Sequence, residues 1–290
     1  MIKIKFENLL VSIVVSVVVF FNTLSTTMLD RTFFQVKVNF LFLVVLLLGL
    51  RFLYKMRVSY KYLILSILLL LSGVLVYFQT NRLNFLVYSM LLVLLVNVDM
   101  KVVLRNYVIV AGILVVGVFL LSLVGMVPNL QYNRAGVIRN SFGFIYPTDF
   151  ASHCFYLFLA ISYLLKDKFI WTRSLFGVLL SAFIIKYCDA RLNALSILLA
   201  TVIFIYFYYS NGKKLKIFAL LPYSAVVFAS VVTYLSYKFS WSDPFLVSIN
   251  KLITGRLGLG RNAFDTFGVH LFGTRNVQFI GSGGKTESVI

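Results

Sequence analysis

Charged residues, histidine, cysteine and proline are all scarce in this chain. Only 12% of its 290 residues are Asp, Glu, Lys or Arg, and it has 2 His, 2 Cys and 4 Pro. So few charges exclude an ordinary soluble domain of this size. Two cysteines exclude a disulfide framework or a cysteine-based metal site. Cys154 and Cys188 either form one bridge or, as we favour, stay as buried thiols.

The motifs of several common enzyme classes are also lacking. There is no Gly-x-x-x-x-Gly-Lys-Ser/Thr loop, and no serine lies in a nucleophile elbow. The Gly-Leu-Gly at 258–260 has no strand before it, as a dinucleotide site would require. No spacing of His, Cys and carboxylates indicates zinc. We therefore predict neither a cofactor nor a metal.

Apolar residues, in contrast, make up 61% of the chain, and the mean hydropathy is +0.96. A helix crosses the hydrocarbon core of a bilayer with about 20 apolar residues, so the sequence predicts an all-α, polytopic membrane helical bundle of about nine spans. These form a single integral membrane domain, residues 1–290. The predicted spans are 9–29, 33–50, 62–80, 83–98, 106–127, 148–165, 172–187, 192–210 and 216–236. The first is too long for a signal peptide and lacks a clear cleavage site, which favours an uncleaved helix.

The net charge of +18 follows the predicted topology. If the N-terminus is cytoplasmic, the cytoplasmic segments hold 14 Lys and Arg and the outer loops hold 7. The positive-inside rule therefore predicts a cytoplasmic N-terminus. The basic residues then serve topology and contact with membrane lipid. The sequence has no nucleic-acid-binding module, and we predict no nucleic-acid partner.

Arginines are unexpectedly frequent on the predicted outer face. They lie in the outer loop 128–147, in the break before the eighth span, and in the outer C-terminal segment 237–290. The set is Arg134, Arg139, Arg191, Arg256 and Arg261. A planar guanidinium donates to phosphate in pairs and stays charged, which favours a phosphate-bearing ligand. The alternative is that these are solvated or lipid-surface charges.

Asp149 and His153 are four residues apart at the start of the sixth predicted span. On a helix they share one face, so the carboxylate can orient the imidazole for general-base work. The alternative is that Asp149 caps the helix and His153 is an interfacial polar residue.

Two other elements are ambiguous. Either Asp189 and Arg191 form a local ion pair, or Arg191 points inward to the same site. The glycines beside Arg256 and Arg261 let backbone approach a ligand closely.

Three segments in this order resemble Wzy-type polysaccharide polymerases of Gram-positive capsule and exopolysaccharide clusters, within the O-antigen polymerase/ligase superfamily. The resemblance covers roughly residues 128 to 275. The segments are Arg139-Asn-Ser-Phe-Gly-Phe-Ile-Tyr-Pro-Thr-Asp-Phe-Ala-Ser-His153, Asp189-Ala-Arg191-Leu-Asn-Ala-Leu195, and Asn250-Lys-Leu-Ile-Thr-Gly-Arg256-Leu followed by Ala263-Phe, Phe267-Gly and Leu271-Phe-Gly273.

The resemblance implies a GT-C-like membrane glycosyltransferase of the bacterial cytoplasmic membrane. Its substrate would be an oligosaccharide on undecaprenyl diphosphate, and a flippase and a chain-length regulator would be its protein partners. Arg139, Arg191 and Arg256 would bind diphosphate, supported by Arg134 and Arg261. Asp149 or His153 would act as the base, and arginines would replace a metal at the leaving group.

Other interpretations stay open at this point. An O-antigen-ligase-type transferase shares the arginine set but uses another acceptor. A transporter or flippase of lipid-linked sugars would need charges within its spans. A non-catalytic membrane scaffold would need none of the arginines. The family continues beyond its Leu-Phe-Gly segment with more spans, so we expect a C-terminally truncated chain, either inactive or a fragment of a longer protein, rather than a natural terminus.

Overall fold

The computed structural model describes residues 6–29, 60–95, 98–134, 136–166, 168–210, 216–253 and 255–275, and these are mostly α-helical. The helices are α1 (Phe6–Leu24), α2 (Tyr60–Thr80), α3 (Asn84–Leu95), α4 (Met100–Leu123), α5 (Pro147–Leu165), α6 (Ile170–Cys188), α7 (Arg191–Tyr209), α8 (Lys216–Lys238), α9 (Pro244–Leu252) and α10 (Arg256–Phe267). Two short strands, β1 (Gln131–Arg134) and β2 (Val137–Asn140), interrupt the helical pattern.

Five of these helices, α2, α4, α5, α6 and α7, are long and apolar enough to cross a membrane. The chain is therefore a multi-pass membrane protein, as the composition predicts. The predicted span 33–50 lies outside the described residues. The predicted span 83–98 corresponds to α3, whose 12 residues reach about 18 Å. That length falls short of the roughly 30 Å hydrocarbon core.

The first predicted span, 9–29, also ends early. Helix α1 stops at Leu24 and is followed by a turn through residues 25–29. Two threonines explain the stop, because the hydroxyls of Thr26 and Thr27 each donate to a backbone carbonyl three residues earlier, 2.7 Å away. Such side-chain bonds compete with the helical pattern.

The described residues separate into two compact units, where the sequence predicts a single domain. The first unit contains α1, α4 to α7 and the two strands. The second contains α2 and α8 to α10, and α3 belongs in part to each.

The first unit is a helical bundle. Helix α1 packs on α4, α4 on α5, and α7 on both α5 and α6. Because the connections between α5, α6 and α7 are short, the C-terminal ends of α1, α4 and α6 meet the N-terminal ends of α5 and α7. This end of the bundle carries the hairpin described next, and we call it the hairpin end.

The predicted outer loop 128–147 contains a two-stranded antiparallel hairpin. Strand β1 pairs with β2 so that Tyr132 faces Arg139 and Gln131 faces Asn140. Side chains alternate between the faces of a strand, so Tyr132, Arg134 and Arg139 share one face. The sequence analysis missed this hairpin, because polar four-residue strands have no apolar alternation to detect.

A tight turn joins the hairpin to α5. Phe142 and Gly143 both have positive φ, 50° and 82°. The turn presses Phe142 and Phe144 into the bundle, where both are buried among the rings of Phe119, Phe150 and Phe183. The turn that follows the hairpin is therefore anchored in the bundle by an aromatic cluster.

In the second unit, α10 packs on α8 and α9. The Asn250 side chain accepts from the backbone N–H groups of Leu257 and Gly258 at 3.0 and 3.1 Å, which caps the start of α10. A Cβ at Gly260 would lie 2.6 Å from Ser236 Oγ. Close helix packing therefore explains Gly260, one of the two glycines beside Arg256 and Arg261, without the approach of backbone to a ligand.

We expect Gly143→Ala to destabilise the protein by roughly 1–3 kcal/mol. Alanine at φ 82° is strained, and its Cβ would lie 2.8 Å from Val118 Cγ1. The matched control is Gly112→Ala in α4, where a Cβ would meet no heavy atom within 4 Å. The control should melt at or above the wild-type temperature, because alanine is the better helix former. Thermal unfolding of the purified protein in detergent measures both, and equal melting temperatures would contradict the packing described here.

Candidate functional site

Arg139 of the hairpin is anchored on the last turn of α6. Its Nε donates to the carbonyl oxygen of Cys188 at 2.9 Å, and the side-chain amide of Asn140 donates to that of Tyr187 at 3.4 Å. The last carbonyls of a helix have no donors within the helix, so they suit this role. Within the described residues, the two Nη groups of Arg139 have no hydrogen-bond partner. The guanidinium is therefore fixed through Nε, and its two Nη groups are available to a ligand.

The surroundings of Arg139 are positively charged and partly removed from water. Burial lowers the pKa of Arg139 below its usual 12.5, nearby Arg134 lowers it further, and Asp189 opposes both effects. Arg134 projects from the same hairpin face and is exposed. A guanidinium stays charged at neutral pH even after such a shift. Two like charges in a half-buried setting favour an anion between them.

Asp189 and Arg191 form the local ion pair that was one of the two sequence-based alternatives. The Arg191 Nε donates to Asp189 Oδ1 at 2.8 Å. The Arg191 side chain is 78% exposed, whereas that of Asp189 is 8% exposed. Asp189 ends α6 in the left-handed conformation, φ 43°, and its charge also acts on Arg139. One buried carboxylate therefore serves two guanidinium groups.

Asp149 contacts the start of its own helix rather than His153. Its carboxylate accepts from the backbone N–H of Tyr146, the residue that caps α5. An acid three residues into a helix that reaches back to the cap is half of a capping box. No hydrogen bond joins Asp149 to His153 in the described contacts. The geometry thus matches the capping alternative and does not support the hypothesis that Asp149 orients the imidazole.

His153 instead bonds to the segment that follows α1. Its Nε2 lies 2.9 Å from the Thr26 hydroxyl oxygen, a contact between residues 127 positions apart. The Phe144 ring lies beside the imidazole, with 5.4 Å between ring centroids. His153 is therefore fixed from two sides by residues that the sequence analysis did not connect to it.

Tyr132 joins the hairpin to the start of α5. Its hydroxyl donates to the carbonyl oxygen of Ile145 at 2.7 Å, and its ring lies 5.5 Å from that of Tyr146. Burial raises the pKa of Tyr132 above its usual 10.0, and Tyr146 and Asp149 raise it further. The phenol therefore stays protonated at neutral pH and faces the same side as Arg139.

Four site residues were not identified from the sequence: Thr26, Asn129, Tyr132 and Asn140. Asn129 accepts from the backbone N–H of Phe142 at 2.8 Å and donates to Asn140 Oδ1 at 3.1 Å. The available signal was weak: polar residues placed between apolar runs, with nothing to show which of them meet.

The second unit holds the other two predicted arginines. Arg261 pairs with Asp265 at 3.0 Å and also donates to the carbonyl oxygen of Tyr237 at the end of α8. These contacts fasten α10 to α8. Arg256 is exposed at the start of α10 and has no hydrogen bond or ion pair with any described residue. Of the two, Arg256 is the one available to a ligand.

The chemistry offered at the hairpin end is cationic and hydrogen-bonding. Arg134 and Arg139 provide charge and donors, and His153 provides a titratable nitrogen. Both Cys154 and Cys188 are free thiols. Among the described residues, no group of three or more His, Cys, Asp or Glu is placed to hold a metal ion.

Comparison with known protein families, curated proteins and solved structures gives no match to this chain.

We expect Asp189→Asn to lower the free energy of unfolding by about 1–3 kcal/mol, because it leaves Arg139 and Arg191 without the carboxylate that both of them face. The matched control is Asp265→Asn. It breaks an Arg–Asp pair of similar length, 3.0 Å, whose carboxylate is 56% exposed. The control should cost less than about 0.5 kcal/mol. Denaturant unfolding in the same detergent compares the two, and equal losses would show that the burial of Asp189 is unimportant.

Proposed function

We propose that this chain is a metal-independent membrane glycosyltransferase of the polysaccharide polymerase type. It acts at the outer face of the bacterial cytoplasmic membrane, with a cytoplasmic N-terminus and a GT-C-like bundle of nine spans. It transfers a growing glycan from undecaprenyl diphosphate to a second lipid-linked repeat unit during capsule or exopolysaccharide synthesis. The observation that carries the proposal is the open, half-buried fork of Arg139 beside Arg134.

In the proposed reaction, negative charge develops on the leaving diphosphate beside the arginines. A sugar hydroxyl of the acceptor forms a new C–O bond to the anomeric carbon of the donor glycan. The bond from that carbon to the lipid diphosphate breaks, and the diphosphate leaves with the electron pair. Arg139 and Arg134 stabilise the charge that develops on the leaving group. Arg191 contributes from its exposed position, while Asp189 keeps its head group near α7.

The proton of the attacking hydroxyl needs an acceptor. His153 is the better candidate, because its ring is positioned by Thr26 and its other nitrogen has no hydrogen-bond partner among the described residues. Asp149 is already engaged by the backbone of Tyr146. General-base assistance of this kind contributes roughly 10²- to 10⁴-fold to a rate.

The distribution of charges favours a transferase over a transporter. A transport path would need ionisable groups in the middle of the spans. In the five described spans, Lys, Arg, Asp and Glu all lie within two turns of a helix end. At the opposite end of the bundle, the buried Arg173 donates to the carbonyl oxygens of Ser162 and Lys166. It therefore fastens α6 to α5 rather than lining a path.

We expect Arg139→Gln to abolish long-chain polymer. The glutamine has no charge and no fork, so the leaving diphosphate loses its main stabilising group. The test is made in a polysaccharide-producing strain whose own copy of this gene is deleted and replaced by the variant. Surface polymer is separated on a gel, and the protein level in the membrane is measured in parallel.

The matched control is Arg105→Gln, which removes an exposed arginine from the opposite end of α4. It should leave the polymer unchanged. Wild-type polymer from the Arg139 variant would overturn the proposal. The lipid-linked species that accumulates distinguishes the related activities: a single repeat unit indicates a polymerase, and unattached long polymer indicates a ligase.

A further inference from the structure

The segment after α1 is tied into the hairpin end by backbone hydrogen bonds. The carbonyl oxygen of Thr26 accepts from the Ile145 N–H at 2.9 Å, and the Met28 N–H donates to the carbonyl oxygen of Gly143 at 2.9 Å. Between them, Thr27 forms a bridge with Phe144. The Thr26 side chain is thus presented to α5 by backbone that is fixed on both sides.

The proton of the Thr26 hydroxyl is committed to a carbonyl. The hydroxyl oxygen lies 2.7 Å from the carbonyl oxygen of Thr23. Two oxygens at that distance must share a proton, and a carbonyl has none to give. The hydroxyl therefore donates to Thr23 and retains only lone pairs for its second neighbour.

That second neighbour is the imidazole of His153. Its Nε2 lies 2.9 Å from the same hydroxyl oxygen, which is again hydrogen-bonding distance. Because the hydroxyl proton is already used, the proton in this bond must come from Nε2. In the neutral ring, Nδ1 then carries the lone pair.

We propose that Thr26 is a positioning residue for His153, which it fixes in the tautomer with the proton on Nε2 and the lone pair on Nδ1. Its catalytic part rests on the proposed function. There, Nδ1 is the atom that takes the proton of the attacking sugar hydroxyl, and Nε2 keeps its own proton and its bond to Thr26 throughout. The orienting role that a carboxylate has in other sites belongs here to a threonine in the segment that follows α1.

A hydroxyl is suited to this role for an electrostatic reason. A carboxylate beside the imidazole would stabilise the charged ring but would also repel the departing diphosphate. A hydroxyl whose proton is committed elsewhere fixes the ring without adding negative charge. Asp149, the only acid near His153 in the chain sequence, is held at the start of α5 by the Tyr146 N–H.

The tautomer is measured directly by nitrogen NMR of protein with ¹⁵N-labelled histidine in lipid nanodiscs. The chain has 2 histidines, so His270→Gln assigns the spectrum. At about pH 8, above the ordinary imidazole pKa, we expect a protonated Nε2 and an unprotonated Nδ1 for His153. A proton on Nδ1 instead, or on both nitrogens, would overturn the proposal.

Two substitutions of Thr26 separate its hydroxyl from its shape. Thr26→Val keeps the branched side chain and removes the oxygen, so the Nε2 proton should exchange with water about tenfold faster. Thr26→Ser keeps the oxygen and should preserve the wild-type signal. Both variants are compared with the wild type for melting temperature, and an unchanged exchange rate in Thr26→Val would overturn the assignment.

Polymerisation rates of the same variants test the catalytic part. Misplacement of the base in Thr26→Val should lower the rate about 10- to 100-fold, and Thr26→Ser should restore it to within about threefold of wild type. A Thr26→Val protein as active as the wild type would overturn the positioning role. If the wild type itself makes no polymer while the NMR result is as expected, the proposed function fails and the tautomer assignment stands.

Discussion

The hairpin end depends on one constraint: backbone that leaves a helix at the edge of a membrane must still satisfy its N–H and C=O groups. Between α4 and α5 about twenty residues are not helical. They pair with each other as β1 and β2, with the Asn129 amide, and with the turn after α1 through Thr26 and Met28. These bonds hold the backbone that carries Arg134, Arg139, Tyr132 and Thr26.

This arrangement explains how Arg139 can be half-buried while its two Nη groups have no hydrogen-bond partner among the described residues. Its strand is fixed by pairing, and its Nε completes the end of α6. A guanidinium used only as a structural bridge would place all its donors on protein groups. Here the structural contact uses the inner nitrogen and leaves the outer fork open. Position and function are therefore divided between different atoms of one side chain.

The sequence predicted the membrane class, and five of its nine predicted spans coincide with helices long and apolar enough to cross a membrane, because hydropathy reports such helices directly. It did not predict that Thr26 meets His153, since residues 127 positions apart are joined only by tertiary packing. Helical spacing left two roles open for Asp149, orientation of the imidazole or capping of the helix. The helix start at Tyr146 and Pro147 favours capping, because the carboxylate accepts from the Tyr146 N–H. Spacing on a helix shows which residues share a face but not which partner each one takes.

The balance of charge at the hairpin end bears on which anion fits there. Arg139 and Arg191 share a single buried carboxylate, that of Asp189, and Arg134 adds a third positive charge on the same hairpin face as Arg139. Since Asp189 is already paired with Arg191, the surplus lies on the two hairpin arginines. A ligand with one negative charge would neutralise only part of that surplus, whereas a diphosphate would offer acceptor oxygens to both guanidinium groups. In the proposed reaction the leaving diphosphate gains charge, so the same arginines would bind it most favourably once its bond to the sugar has broken.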